Sequence, residues 1–176
     1  PAALDFATAA GLGCRFATAY RAVTAHGQVS AGQWVAVFGC GGVGLAATMI
    51  AVARGAQVVA VDVSPGARDF AVRLGATAVV DAGAADPVEA ITTITGGGAH
   101  VAIDALGGAA TSRAAIECLR PRGRQVQVGL MVGDEAAPPI PMARVLAREL
   151  EIHGSHGMAA ADDPAMLAEI AGGRLD

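Results

Sequence analysis

Short apolar runs alternate along this chain with longer segments of helical composition. Trp34-Val-Ala-Val-Phe38 is apolar throughout, lies between Gly32 and Gly39, and reads as a buried strand. Helical composition follows over 42–54, then a second strand, Gln57-Val-Val-Ala-Val-Asp62. Pro65 suits the first turn of a helix that closes near Leu74-Gly75. A short strand over 78–80 and a helix over 87–95 come next. The second half repeats the alternation, with a strand at 100–104, a helix at 109–119 and a turn at Pro121-Arg122-Gly123. A strand at 124–128, a Pro-rich connection over 134–141, a short helix at 142–147, a strand at 150–154 and a helix at 162–171 complete it. Ahead of all this lies an Ala-rich stretch, 5–26, which predicts a helix over 15–26 and a loop or broken turn near Gly11 to Cys14.

Several of the six strands are apolar on both faces, which calls for cover on both sides. The pattern therefore predicts a three-layer α/β fold, a doubly wound parallel six-stranded sheet of the Rossmann type. Right-handed crossovers give the strand order 3-2-1-4-5-6. Residues 31–176 then form the domain, and 1–30 a helical segment leading into it.

Composition narrows the picture. Of 176 residues 53% are hydrophobic and 3% aromatic, with 24 Gly, so the core is built of small aliphatics. Such hydrophobicity argues against disorder. The net charge is -4, and the 12 cations, all Arg, form no cluster, which argues against nucleic acid as a partner. No apolar run is long enough to span a membrane, and no signal peptide opens the chain. Cys14, Cys40 and Cys118 are odd in number and widely spaced. That favours reduced thiols, and a cytoplasmic location is the expectation.

The sharpest local signal is Gly39-Cys40-Gly41-Gly42-Val43-Gly44, a G-x-G-x-x-G run between a strand and a helix. Gly39 allows the tight turn, Gly41 lets the backbone approach a pyrophosphate, and Gly44 lets the helix pack on the sheet. Amides near Gly42 and Val43 can then hold phosphates at a helix N-terminus. Asp62 ends the second strand, 23 residues beyond Gly39, where a carboxylate can accept both ribose hydroxyls and repel a 2′-phosphate. NAD is therefore expected rather than NADP. A purely structural turn, or another nucleotide such as S-adenosylmethionine, is the alternative. A Walker A loop is excluded, because the phosphate Lys and following Ser/Thr are missing.

Other ionisable residues point less clearly. Arg68 either flanks the ribose or is a solvated helix residue. Asp104 ends a strand at the ligand-facing edge and is weighed as a strand-end cap against a site residue. His100 is expected at the surface and His26 at a helix end. His153 and His156 are spaced as a metal pair but lack a third ligand. Cys40 reads as a small side chain packed above the turn, and Cys118 as helix-face core.

Taken in order, these segments resemble the medium-chain, zinc-dependent alcohol dehydrogenases. The residues that carry the resemblance are Gly13-Cys-Arg-Phe-Ala-Thr-Ala-Tyr20, Trp34 to Gly44, Val61-Asp62, Leu74-Gly-Ala76, Val126-Gln-Val-Gly129 and Ile152-His-Gly-Ser155. The resemblance implies that Cys14 is one protein ligand of a catalytic zinc, polarising an alcohol. It implies that Thr18 packs near the nicotinamide, that Gly42 and Val43 donate to the pyrophosphate, and that Asp62 holds the ribose. Ala105 and Leu106 match the adenosine side, Val128, Gly129 and Leu130 the nicotinamide wall, and Ser155 and His156 the loop after the last strand. Where the family often has a Lys five residues beyond the ribose Asp, this chain has Ala67, so Arg68 must supply any cation there.

Family members are about twice as long, and their amino-terminal barrel-like domain brings the other zinc ligands and a proton relay. Starting at Pro1, the chain is therefore expected to be an excised cofactor-binding domain. It should bind dinucleotide without turning over alcohol, with zinc absent or held in a distorted site. A homodimer through 130–155, with Ile140 at the pairing edge, is the expected assembly, and a small alcohol or aldehyde the substrate of the intact enzyme. The rivals are a quinone or enoyl reductase of the same superfamily, a non-catalytic NAD-sensing module and a methyltransferase.

Overall fold

The computed structural model describes residues 6–175, with side chains from Ala9 onward. Asp5, where the Ala-rich stretch begins, lies outside the described residues. Six strands form one sheet in the order β3-β2-β1-β4-β5-β6. They are β1 (Trp34–Phe38), β2 (Gln57–Asp62), β3 (Ala78–Asp81), β4 (Ala99–Asp104), β5 (Leu119–Gln127) and β6 (Glu151–Gly154), and all pairs are parallel. The register sets Phe38 beside Val61 and Asp104, so the carboxyl ends of β1, β2 and β4 finish level.

Side chains alternate across the sheet and build two cores. On one face Val35, Val37, Val58, Ala60, Val101 and Ile103 pack beneath α3 (Gly42–Ala53). On the other, Ala36, Phe38, Val59, Val61 and Ala102 pack with Ile91 of α5 (Pro87–Thr95) and Ile116 of α6 (Ala109–Glu117). Ser64 and Asp86 cap the helices that begin at Pro65 and Pro87, each accepting first-turn amides. Those helices, α4 (Pro65–Arg73) and α5, match the expected spans closely.

Three expectations need correcting. First, there is no loop at Gly11 to Cys14. Helical backbone runs from α1 (Phe6–Gly11) through a wide π-type turn, Leu12–Phe16, into α2 (Ala17–Arg21) and a second π-type turn, Ala22–His26. Gly11 adopts ordinary helical angles, φ -72° and ψ -23°. Glycine weakens a helix by its entropy without forbidding it, and buried Ala17, Ala19 and Tyr20 hold this one in the core. Second, Pro121-Arg122-Gly123 is absorbed into β5 as an irregularity. Arg122 takes φ +61°, and the register slips between Ala99 and Val101. Helix α6 correspondingly stops at Glu117. Third, His100 is half-buried rather than on the surface. Its Nδ1 accepts the Trp34 amide at 2.9 Å, and Arg120 Nη1 lies 2.7 Å from Nε2. Burial, then the Arg120 charge, lowers its pKa from 6.5.

The short helix α7 (Met142–Arg148) precedes the edge strand β6, and the final helix α8 (Asp163–Ala171) packs back on α2. Glu169 of α8 receives the Tyr20 hydroxyl at 3.0 Å and pairs with Arg54 at 2.9 Å.

Candidate functional site

The glycine loop joins β1 to α3 at the carboxyl edge of the sheet. Gly39 has φ +87°, a region open to glycine. At Gly44 a Cβ would fall 1.8 Å from the Gly39 carbonyl oxygen, so the helix meets the loop only without a side chain there. Gly41 differs. Its backbone is extended, φ -79° and ψ -168°, and a Cβ on it would meet nothing within 4 Å. Its bareness leaves an open approach to the loop rather than relieving a clash. The helix begins at Gly42, and the first intrahelical bond runs from the Leu45 amide to the Gly41 carbonyl at 2.9 Å. Helix-opening amides have no carbonyl partner within the helix and carry its positive end.

Asp62 frames the other side. Its Oδ2 accepts the Cys40 amide at 2.7 Å and its Oδ1 the Ser64 amide at 2.8 Å. Each carboxylate oxygen keeps a further lone pair for a donor from outside. Arg68 is not a solvated helix residue. Its side chain is 15% exposed, Nη2 pairs with Asp81 at 2.8 Å, and Nη1 donates to the Asp62 carbonyl at 2.8 Å. It braces the end of β2. Cys40 is buried under the turn, and burial, reinforced by the Asp62 charge, pushes its thiol up to about 11. The side chain is thus a neutral packing element, as the sequence suggested.

Asp104 is fully buried and behaves as a cap. It accepts the Leu106 and Gly107 amides at 3.0 Å, the Thr111 hydroxyl at 3.1 Å and Gln127 Nε2 at 3.1 Å. Its acceptors are spent on the protein, leaving little for a ligand. The amides of Ala105, Val128 and Gly129 are also engaged, the first on the Phe38 carbonyl and the others on the Asp104 carbonyl. Gly129 is required by close approach, since a Cβ there would sit 2.1 Å from the Gly107 nitrogen. Leu106 and Leu130 stand exposed above these crossings. Ser155 follows β6 and is buried; its amide bonds the Gln127 carbonyl, and its hydroxyl has no partner. Thr18 is half-buried on α2.

Gly39, Asp62 and Leu106 open onto one cleft of about 510 Å³, walled mainly by apolar side chains including Val63, Pro87, Val88 and Ala110. Sequence reasoning missed these four. The readable signal was the place of Val63 directly after Asp62; in the fold it is 66% exposed. It also missed Arg15, whose side chain lies against Gly42.

The description "Zinc-binding dehydrogenase" belongs to a family whose pattern matches residues 42–172. The chain is a member of that family. Among curated proteins, an alcohol dehydrogenase of Rhizobium meliloti is 35% identical over 155 residues, spanning 88% of this chain and 44% of its own length. A probable D-xylulose reductase A of Emericella nidulans is 33% identical over 160 residues, again 88% of this chain and 44% of that protein. Among solved structures, the alcohol dehydrogenase TADH from Thermus sp. ATN1 superposes with a TM-score of 0.85 at 34% identity, covering 92% of this chain and 46% of that one. The chain thus spans somewhat less than half the length of these dehydrogenases. It has the Rossmann fold of the zinc-binding dehydrogenases.

Among the described residues no group of three or more His, Cys, Asp or Glu is placed to hold a metal. Cys14 is an exposed, free thiol. A lone thiol does not make a zinc site, so zinc does not fit this chain's described residues by themselves. His153 turns to Glu151 at 3.0 Å and faces His26 at 6.0 Å between ring centres. No helix of the described residues is long and apolar enough to cross a membrane.

Proposed function

We propose that this chain is the NAD-binding domain, 31–176, of an alcohol dehydrogenase, with 1–30 linking it to a catalytic domain. The observation that carries the reading is the pairing of an unobstructed Gly41 with Asp62, on either side of the helix-opening amides. The diphosphate sits on the amides of Gly42 and Val43, where the helix dipole favours anions. Asp62 accepts the adenosine ribose hydroxyls, and its charge disfavours a 2′-phosphate. The adenine lies in the apolar cleft beside Val63 and Leu106, with Ala105 behind it. Arg68 holds the end of β2 in place and so acts on the ribose through Asp62.

The nicotinamide end runs toward Val128, Gly129, Leu130 and Ser155, with Thr18 beneath it. NAD, when bound, supplies the hydride acceptor. The protein's own contribution is to fix that acceptor's orientation and to exclude water with Leu130 and Val128. In the longer protein the substrate is a small alcohol, oxidised to an aldehyde or ketone. Cys14 is this chain's contribution to a metal site completed by residues from elsewhere. The exposed apolar residues Leu130, Val132, Ile140 and Ile152, beside the edge strand β6, support pairing of two copies through 130–155.

Calorimetric titration tests the reading. NAD should bind with one site per chain and S-adenosylmethionine should not. The opposite preference would favour the methyltransferase alternative. Asp62 supports NAD over the NADPH that quinone reductases often use.

A further inference from the structure

Arg15 has no role in the account above, yet it lies on the glycine loop. A Cβ built on Gly42 would fall 2.4 Å from Arg15 Cδ, 3.0 Å from Nη1 and 3.3 Å from Nε. The side chain therefore runs across the first residue of α3, with its guanidinium beside Gly42. It is carried there by the π-type turn Leu12–Phe16, a local widening of the kind that often re-aims side chains at functional sites. The residue is exposed, and no acidic side chain among the described residues pairs with it. Arg68, which donates to the Asp62 carbonyl, is already held by Asp81. The chain has no Lys to supply the charge instead.

We propose that Arg15 is a diphosphate-binding residue, clamping the cofactor's phosphates against the amides of Gly42 and Val43. The proposal rests on the dinucleotide reading and adds to it the residue that neutralises the ligand's charge. A planar guanidinium suits two phosphate oxygens at once, and such charge-assisted bonds are stronger than neutral ones. A side chain at Gly42 would push the arginine aside from this position. Arg15 follows Cys14 directly, so the segment offering a metal ligand would also grip the cofactor.

The test uses the 176-residue chain with Arg15→Gln and Arg15→Lys. Affinities for NAD, ADP-ribose and adenosine are measured by titration at several salt concentrations. Arg15→Gln should weaken NAD and ADP-ribose by about tenfold or more, flatten their salt dependence, and leave adenosine unchanged. Arg15→Lys should recover part of the loss, since it keeps the charge without the fork. Equal NAD affinity in wild type and Arg15→Gln would overturn the role of Arg15 while leaving the dinucleotide site standing. Equal weakening of all three ligands would also overturn it, marking the residue as structural. A wild-type chain that binds no NAD would overturn the reading beneath it.

Discussion

The carboxylate of Asp62 accepts the amide of Cys40 at 2.7 Å, so the end of β2 and the glycine loop after β1 are one hydrogen-bonded unit. The same group accepts the Ser64 amide and thereby also fixes the entry to α4. An acid at this position holds the loop in shape before any ligand arrives and keeps lone pairs for one that does.

Asp62→Asn should separate these two tasks. An amide side chain has one oxygen and must present its NH₂ to one of the two backbone donors. Leaving that donor unpaired should cost about 1–3 kcal/mol of stability, read as a lower thermal midpoint. Loss of the charged acceptor should weaken NAD by about ten- to a hundredfold. Removing the negative charge should at the same time narrow the preference for NAD over NADP. Unchanged NAD affinity in a folded variant would argue against ribose binding at Asp62.

Gly44 and Gly41 should respond in opposite ways to the same added methyl. Gly44→Ala drives a carbon into the Gly39 carbonyl and should cost about 3 kcal/mol or more, since the helix must move off the sheet. Gly41→Ala meets no protein atom, and its extended backbone suits alanine. Its stability should fall by no more than about 1 kcal/mol, the scale of an altered N-cap. NAD affinity should nevertheless drop at least about tenfold, because the methyl stands where the pyrophosphate approaches. Denaturant melts paired with titrations would resolve the two effects.

His100 makes stability depend on pH in the mildly acidic range. Its pKa is lowered by burial and by Arg120, and the Trp34 amide and Arg120 both aim at its ring nitrogens. An imidazolium would face two donors with no acceptor. The unfolded chain therefore takes up the proton first, so this stability is present above pH 6.5 and is lost as pH falls through the folded value. NMR titration of the ring signals, assigned with His100→Gln, should give a midpoint below 6.5. A midpoint at or above that value would contradict the account.

Much of this was legible in the sequence because β1, β2 and β4 are buried on both faces. Continuous apolar runs such as Val35 to Phe38 announce themselves whatever lies around them. The glycine spacing and Asp62 were legible for the same reason, as local demands of a turn and a strand end. The π-type turn at Leu12–Phe16 was not, because widening a helix by one residue leaves no mark on side-chain choice, and Gly11 and Gly13 pointed to a break instead. His100 was misplaced because its partners, Trp34 and Arg120, come from neighbouring strands. Arg15 was missed likewise, as its contact with Gly42 joins segments that only the packed helices bring together. Asp104 was weighed as a cap or a site residue, and the cap prevails because the carboxylate closes the very turn it begins.

The central claim is that a dinucleotide lies across the amides opening α3, with its ribose on Asp62. Amide chemical-shift mapping of the chain titrated with NAD addresses it directly. The account predicts saturable shifts greatest at Gly41 to Gly44, with a second group at Asp62 and Val63. Saturation that leaves these amides unmoved while others shift would contradict it.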